Sequence, residues 1–153
     1  MIEVPVPGSD DLRLEHLVLD LNGTLGDRGR LIDGVAERIG ALAADLVVHV
    51  LSADTFGTAA RLAGDLGAAF RRVDTGADKR AYVERLGASR CVAIGNGAND
   101  VAMFEAAGLS IAVLGPEGAS TAALAAATVA CRSIGEALDL LVTPAALTAT
   151  LRP

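Results

Sequence analysis

The run Leu17-Val18-Leu19-Asp20-Leu21-Asn22-Gly23-Thr24-Leu25 ends an apolar stretch on a carboxylate, just before a Gly-Thr break. A buried parallel strand delivers an aspartate to the edge of a sheet in this way, where it can attack a phosphorus centre or hold a metal ion. Taken alone, the segment reads equally as a strand closing in an ordinary Asn-Gly turn. A second acidic junction, Val92-Ala93-Ile94-Gly95-Asn96-Gly97-Ala98-Asn99-Asp100, follows about eighty residues after the first. Between them lie Ser52 at a third strand end and Lys79 near the start of a helix. Each has a plainer role by itself: Ser52 as a helix N-cap, Lys79 as a solvated lysine, Asp100 as a first-turn acid answering the helix dipole. Their order along successive strand ends is what favours chemistry.

Collected at one sheet edge, Asp20, Asn22, Ser52, Asn96, Asn99 and Asp100 offer two carboxylates and several neutral oxygens. That donor set suits a hard, octahedral ion, so Mg²⁺ is the expected cofactor. Ser52 and neighbouring backbone N–H groups at a helix start can hold phosphate oxygens. Lys79 can neutralise phosphate charge or damp repulsion between the carboxylates. Asp20 is then a nucleophile beside a metal-bound, electron-poor phosphorus.

The elements that must position these groups alternate short apolar runs with helical-period segments, which predicts βαβ units around a parallel sheet. Residues 2–6 and 12–14 form an edge hairpin, and His16–Asp20 is the first core strand. The glycine-rich stretch Gly26–Arg30 is a small flap, followed by a helix over 33–43 with Val35, Ile39 and Leu42 facing the sheet. Leu46–Leu51 is a strand ending at Ser52, and Thr55 begins the next helix. A strand near 68–72, a helix over 76–86 and the strand Cys91–Ile94 follow. Asp100–Ala107 is helical, Ser110–Val113 a strand, Glu117–Ala126 a helix, 128–131 a strand and 134–141 a helix, leaving a polar tail from Thr143 to Pro153 that packs on a neighbour. The fold class is α/β with a doubly wound parallel sheet, in a single domain spanning 1–153.

At 153 residues the chain can bury a real core, and with 52% hydrophobic but only 3% aromatic residues that core must be aliphatic. A net charge of −6 argues against nucleic acid or an anionic membrane as partner. No apolar run approaches the roughly 18 residues of a membrane span, and the acidic N-terminus is too short for a signal peptide. Cys91 and Cys131, in apolar strands, read as buried reduced thiols of a cytoplasmic protein, and His16 and His49 as packing residues.

These residues resemble the haloacid dehalogenase (HAD) superfamily, whose pattern is a strand with D-x-[DT]-G-T, a Ser/Thr strand end, a Lys and an acidic G-D motif. More narrowly, Val50-Leu51-Ser52-Ala53-Asp54 with Thr58-Ala59 is similar to the L-T-G-D…T-A segment of P-type ATPase phosphorylation domains. Gly95-Asn96-Gly97-Ala98-Asn99-Asp100-Val101-Ala102-Met103, with Ala107-Gly108-Leu109-Ser110-Ile111-Ala112-Val113, is similar to their G-D-G-x-N-D-A and ADxGIA run. The likeness covers roughly residues 16–140 and points to the soluble P-type ATPase-like group. It implies a Rossmann-like core in which Asp20 is phosphorylated and Ser52, Ala53, Lys79, Gly23 and Thr24 surround the phosphate. It also implies that Mg²⁺ is held by Asp20, the backbone carbonyl of Asn22, and side chains from Asn96 through Asn99 to Asp100.

The chain departs from that pattern at two positions. Asn22 stands where HAD phosphatases carry the aspartate that protonates the leaving group and later activates water, so a factor of about 10²–10⁴ is lost from each acid–base step. Asn96 stands where the family has a metal-binding aspartate, which weakens Mg²⁺ and leaves more of the site to Asp100. Both asparagines precede glycine, the context in which asparagine deamidates most easily, so conversion to aspartate is a route back to the usual carboxylates.

Only about thirty residues separate Asp20 from Ser52, and fewer separate Ser52 from Lys79, so neither gap fits a cap or nucleotide-binding domain. An uncapped site lies open, covered by a bulky substrate or by a neighbouring subunit, which leaves a homo-oligomer open. No P-loop is present, and Gly95-x-Gly97-x-x-Asp100 is a broken dinucleotide fingerprint. The expected activity is Mg²⁺-dependent hydrolysis of a small phosphorylated substrate or phosphoprotein, slow because of Asn22 and best with acyl or aryl phosphates. The competing reading is a non-hydrolytic binding or regulatory module on the same scaffold. A pump subunit is a poorer third, for want of a transmembrane or actuator segment.

Overall fold

The computed structural model describes residues 1–54 and 57–153. The chain opens with a hairpin of β1 (Ile2–Val4) and β2 (Leu12–Leu14), then enters the central strand β3 (His16–Asp20). A two-stranded flap, β4 (Gly26–Asp27) and β5 (Arg30–Leu31), leads to α1 (Val35–Leu42), β6 (Val47–Ser52), α2 (Ala59–Asp65), β7 (Ala69–Arg72) and α3 (Gly76–Leu86). The second half runs β8 (Cys91–Gly95), α4 (Val101–Ala106), β9 (Leu109–Val113), α5 (Thr121–Ala126), β10 (Val129–Cys131), α6 (Ile134–Val142) and α7 (Pro144–Leu151).

The main sheet has six strands in the order β10-β9-β8-β3-β6-β7, every neighbouring pair parallel. From β3 the chain steps outward through β6 and β7, then returns to β8 on the other side and steps outward again. The reversal lies between β3 and β8, so their carboxyl ends flank the crevice where open α/β sheets bind ligands. Side chains alternate between the faces. Leu17, Leu19, Val48, Val50, Val92 and Ile94 join α1, α2, α6 and α7 in one apolar cluster. Val18, Leu51, Cys91 and Ala93 pack with Val83, Met103, Phe104 and Ala123 from α3, α4 and α5 in the other. This period-two pattern puts Asp20, two residues beyond Val18, on the α3 face of the sheet. The core is aliphatic, as the composition requires.

Two elements differ from expectation. The helix expected over Glu117–Ala126 begins only at Thr121. Gly115-Pro116-Glu117-Gly118 instead closes a turn, with Gly118 N donating to Gly115 O at 2.9 Å and Gly118 at φ 74°. Proline second and glycine fourth is a type I turn signature that the alanine-rich run behind it hides. The segment expected as a polar tail over Thr143–Pro153 is largely helical, as α7. Pro144 takes the first helical position, where its missing N–H is harmless, and fully buried Leu147 joins the chain's own core. Thr55, expected to start a helix, lies outside the described residues, and α2 begins at Ala59.

No single helix among the described residues is long and apolar enough to cross a membrane. The pair α6 and α7 would reach that length only jointly, and they meet at a 100° bend.

His16 and His49 do more than fill space. His16 Nδ1 pairs with His49 Nε2 at 3.1 Å, and His49 Nδ1 with the Tyr82 hydroxyl of α3 at 3.0 Å. Burial, then the neighbouring His16, lowers His49 from 6.5 to about 4. A base whose folded pKa lies below its unfolded value stabilises the fold above the unfolded pKa and loses that contribution as pH falls toward the folded one. Between about pH 7 and 5 the chain should therefore lose on the order of 1–2 kcal/mol through His49. Urea denaturation of wild type and His49→Gln at both pH values should show the smaller acid loss in the variant.

Candidate active site

Three strand ends meet at the crevice. β3 delivers Asp20, β6 delivers Ser52, and β8 ends at Gly95 just before Asn96. Lys79 comes from above them on α3, whose start is fixed by a reciprocal cap: Thr75 Oγ1 accepts from Asp78 N at 3.2 Å, and Asp78 accepts from Thr75 N at 2.9 Å. One turn in, Lys79 is almost wholly buried, with its Nζ 2.7 Å from Asp20 Oδ1 and 2.5 Å from Asp100 Oδ1.

One ammonium thus joins two carboxylates in a water-poor interior. Burial, then repulsion from Asp100, raises the Asp20 pKa, with Lys79 and Thr24 offsetting part of the rise. For Lys79, burial pulls downward, but Asp20 and Asp100 outweigh it and hold the ammonium above the usual lysine value. Asp100 is fully buried and its second oxygen accepts from Asn96 N at 3.0 Å and Gly97 N at 2.9 Å. Gly95 is the residue that makes room, since a methyl there would run into the Asp100 carboxylate.

A cleft of roughly 210 Å³ opens over this triad, lined by Asp20, Asn22, Ser52, Ala53, Asn96, Gly97, Asn99 and Glu117. Larger clefts exist, including one of about 540 Å³ beside Cys131, Arg132 and Leu140, but this one gathers the reactive groups. Ser52 Oγ accepts from Asp54 N at 2.9 Å, so the hydroxyl keeps its own proton for donation. The helix-capping role goes to Asp54, which accepts from Ala59 N at 2.8 Å and sits at φ 57°.

Of the expected site residues, Asp20, Asn22, Ser52, Ala53, Asn96 and Asn99 reach the cleft wall, while Gly23, Thr24, Lys79 and Asp100 lie outside that lining. Gly23 and Thr24 were expected as phosphate ligands, but Gly23 N donates to Gly26 O at 2.9 Å and Thr24 N to Leu21 O at 3.2 Å. The Thr24 hydroxyl is fully buried and aims at Asp20 Oδ2, 3.3 Å away, and Asn96 Oδ1, 3.1 Å away. The Thr24 hydroxyl is thus engaged with the Asp20 carboxylate and the Asn96 amide. Asp100, expected to carry more of the metal site, spends both oxygens on Lys79 and two backbone amides.

Deamidation is opposed by the same contacts. The attacking atom would be the following glycine's N, and Gly97 N is held by Asp100 while Gly23 N is held by Gly26. Glu117 is the cleft residue that sequence reasoning missed. Its signal was the Pro-x-Gly turn that takes it out of a helix.

Among the described residues no group of three His, Cys, Asp or Glu side chains is placed to hold a metal. The donors facing the cleft are one buried carboxylate, a rim carboxylate and amide oxygens, which fits Mg²⁺, an ion that keeps several waters and takes one or two carboxylates.

Removing Lys79 would leave Asp20 and Asp100 buried together without a counter-charge. Lys79→Met should cost about 3–5 kcal/mol near neutral pH. Because the unpaired carboxylates would hold their protons more tightly folded than unfolded, the deficit should shrink as pH falls from about 7 to 5. Urea denaturation of the variant across that range checks both magnitude and sign.

Comparison with known proteins agrees with this geometry. The sequence model of the haloacid dehalogenase-like hydrolases matches residues 4–108. An uncharacterised protein of Methanocaldococcus jannaschii, MJ0073, is 40% identical over 63 residues, covering 41% of this chain and 68% of its own length. A HAD-family protein of Streptomyces avermitilis has the same fold at TM-score 0.70 and 22% identity, over 92% of this chain and 87% of that one. The cobalt-bound deoxy-D-mannose-octulosonate 8-phosphate phosphatase of Haemophilus influenzae matches at TM-score 0.70 and 20% identity, over 92% and 94%. A 3-deoxy-D-manno-octulosonate 8-phosphate phosphatase of Moraxella catarrhalis, solved with magnesium, phosphate and KDO, matches at 0.69 and 18%, over 91% and 94%. The family model spans more than half of the chain, and with an Asp-ending strand, a Ser strand end, a buried Lys and a doubly wound sheet in this order, the chain belongs to the haloacid dehalogenase-like hydrolases.

Proposed function

We propose that this hydrolase is a Mg²⁺-dependent phosphatase that works through an aspartyl-phosphate at Asp20 and turns over slowly. The observation that carries the reading is the Lys79 ammonium bridging Asp20 and Asp100 directly beneath a cleft that Ser52 also faces. A structural ion pair would not need a serine hydroxyl and an open cleft at its end.

In the step proposed, an Asp20 oxygen bonds to phosphorus as the bond to the leaving oxygen breaks, and the leaving group departs with the electron pair. Ser52 and the Ala53 backbone bind phosphoryl oxygens, and Lys79 offsets the charge that builds on them. Thr24 keeps the Asp20 carboxylate in line. Water then attacks the acyl phosphate, releasing phosphate and restoring Asp20. Asp20, Asn22, Asn96 and Asn99 would hold Mg²⁺, which supplies charge stabilisation at the phosphoryl oxygens when bound.

Asn22 lines the cleft but its amide neither donates nor accepts a proton as an acid or base. Donors with good leaving groups, acyl and aryl phosphates, are therefore the substrates proposed, whether small molecules or phosphoproteins. The soluble P-type ATPase-like likeness is consistent with a phosphoenzyme that persists. We assign the protein to the cytoplasm, without nucleic-acid or membrane partners, and expect either a bulky substrate or a second copy over the open cleft.

Intact mass spectrometry after incubation with acetyl phosphate and Mg²⁺ tests the nucleophile. Wild type should gain one phosphoryl mass and Asp20→Asn none. An unmodified wild type would move the assignment to a non-hydrolytic binding module, the reading that the asparagines at 22 and 96 favour.

Asn22→Asp should speed hydrolysis of p-nitrophenyl phosphate by about 10²-fold or more and narrow the gap between aryl and alkyl phosphates. Steady-state rates on both substrates measure the two effects, and equal rates for both in wild type would refute the assigned role of Asn22.

A further inference from the structure

Glu117 stands in the cleft wall yet plays no part in the chemistry described above. It projects from the turn after β9. A Cβ built on Gly23 would lie 2.8 Å from Glu117 Oε2 and 2.7 Å from Asn96 Nδ2. The two side chains therefore end against the same point on the turn that follows Asp20.

Asn96 is also what holds that loop in place. Its Nδ2 donates to Gly118 O at 2.9 Å, and its backbone carbonyl accepts from Ser120 N at 2.8 Å. The first of these bonds needs an amide, because an aspartate has no proton to donate at neutral pH and its charge would face the Gly118 carbonyl. With Nδ2 given to Gly118, the amide has one orientation, its oxygen toward the Thr24 hydroxyl beside Asp20 and its nitrogen toward the loop. The change from carboxylate to amide at this strand end thus removes one negative charge and installs a clamp. The clamped loop returns a negative charge, Glu117, to the same corner.

We infer that Glu117 is the second carboxylate of the divalent-cation site, in the place that a strand-end aspartate at position 96 would otherwise fill. This rests on the cleft being a Mg²⁺ site, as proposed above. The donor set is then the carboxylates of Asp20 and Glu117 with the neutral oxygens of Asn22, Asn96 and Asn99. That count of charged and neutral oxygens suits Mg²⁺, with waters completing the shell. Glu117 is exposed at the rim, whereas Asp100 is sealed beneath with both oxygens engaged. Charge at this site therefore comes from the loop and not from the base of the sheet.

Titration of the full chain with Mn²⁺ alone, followed by electron paramagnetic resonance with Mg²⁺ as competitor, separates this inference from the reading beneath it. Wild type should bind one Mn²⁺ that Mg²⁺ displaces, and Asp20→Asn should lose it. Glu117→Gln should bind about tenfold more weakly or worse, with the melting temperature of the metal-free protein unchanged. The double variant Asn96→Asp/Glu117→Gln returns a carboxylate to the strand end and should recover most of the affinity. A Glu117→Gln protein that binds Mn²⁺ as tightly as wild type, while Asp20→Asn does not, overturns the role of Glu117 and leaves the Mg²⁺ site standing. A double variant no tighter than Glu117→Gln overturns the exchange between the two positions. A wild type that binds no Mn²⁺ overturns the cation site itself.

Discussion

Two carboxylates share one ammonium in the interior of this protein, and the placing of nearly every other polar group near the sheet edge follows from that. Burying Asp20, Lys79 and Asp100 together removes three charges from water, which is tolerable only when each finds close partners. Lys79 supplies the opposite charge to both acids. The remaining oxygen of Asp100 takes two backbone amides, and that of Asp20 faces Thr24. No buried side-chain nitrogen or oxygen among the described residues lacks a hydrogen-bond partner. The cluster is thus fully satisfied with a net charge of −1, its one outward face the Asp20 carboxylate.

That arrangement dictates much of the local backbone. Asp100 can fold back under the end of β8 only because Gly95 has no side chain. Lys79 can reach both acids only if α3 begins at a fixed point, which the Thr75–Asp78 cap enforces. Further along α3, Tyr82 holds the helix to β6 through His49, so the helix that carries the lysine is tied to the sheet at a second place. A small rotation of α3 would strand three buried charges, and the contacts on either side of Lys79 resist it.

Much of this was legible in the sequence because it depends on short-range pattern. Short apolar runs placed β3, β6, β8 and β9 to within a residue or so, and the polar groups of the site fall where those runs end. The sequence could not say which polar groups face the ligand and which face one another. Thr24 and Asp100 look like ligands by spacing, yet both are buried among partners from other segments, Asn96 for Thr24 and Lys79 for Asp100. The loop after β9 was misread because the alanine-rich stretch that follows is strongly helical and outweighed Gly115-Pro116-Glu117-Gly118. The helix Pro144–Leu151 is hard to read because its apolar anchors, Leu147 and the partly buried Leu151, make a weak stripe against five alanines and threonines between Ala145 and Thr150.

The two asparagines now have different explanations. Asn96 is structurally required as an amide, since one of its atoms donates to the loop and the other accepts from Thr24. Its effect on the site is inseparable from the position of Glu117. Asn22 shows no such commitment: it lines the cleft, and nothing in its surroundings calls for an amide. A residue without a structural reason at the position that normally handles the proton is best explained by the reaction. On the mechanism proposed above, with no acid there, the leaving group departs unaided and the acyl phosphate waits for an unassisted water. In the reaction proposed above, slow breakdown of the phosphoenzyme follows from Asn22, while the buried lysine and its two acids serve the first half of the reaction.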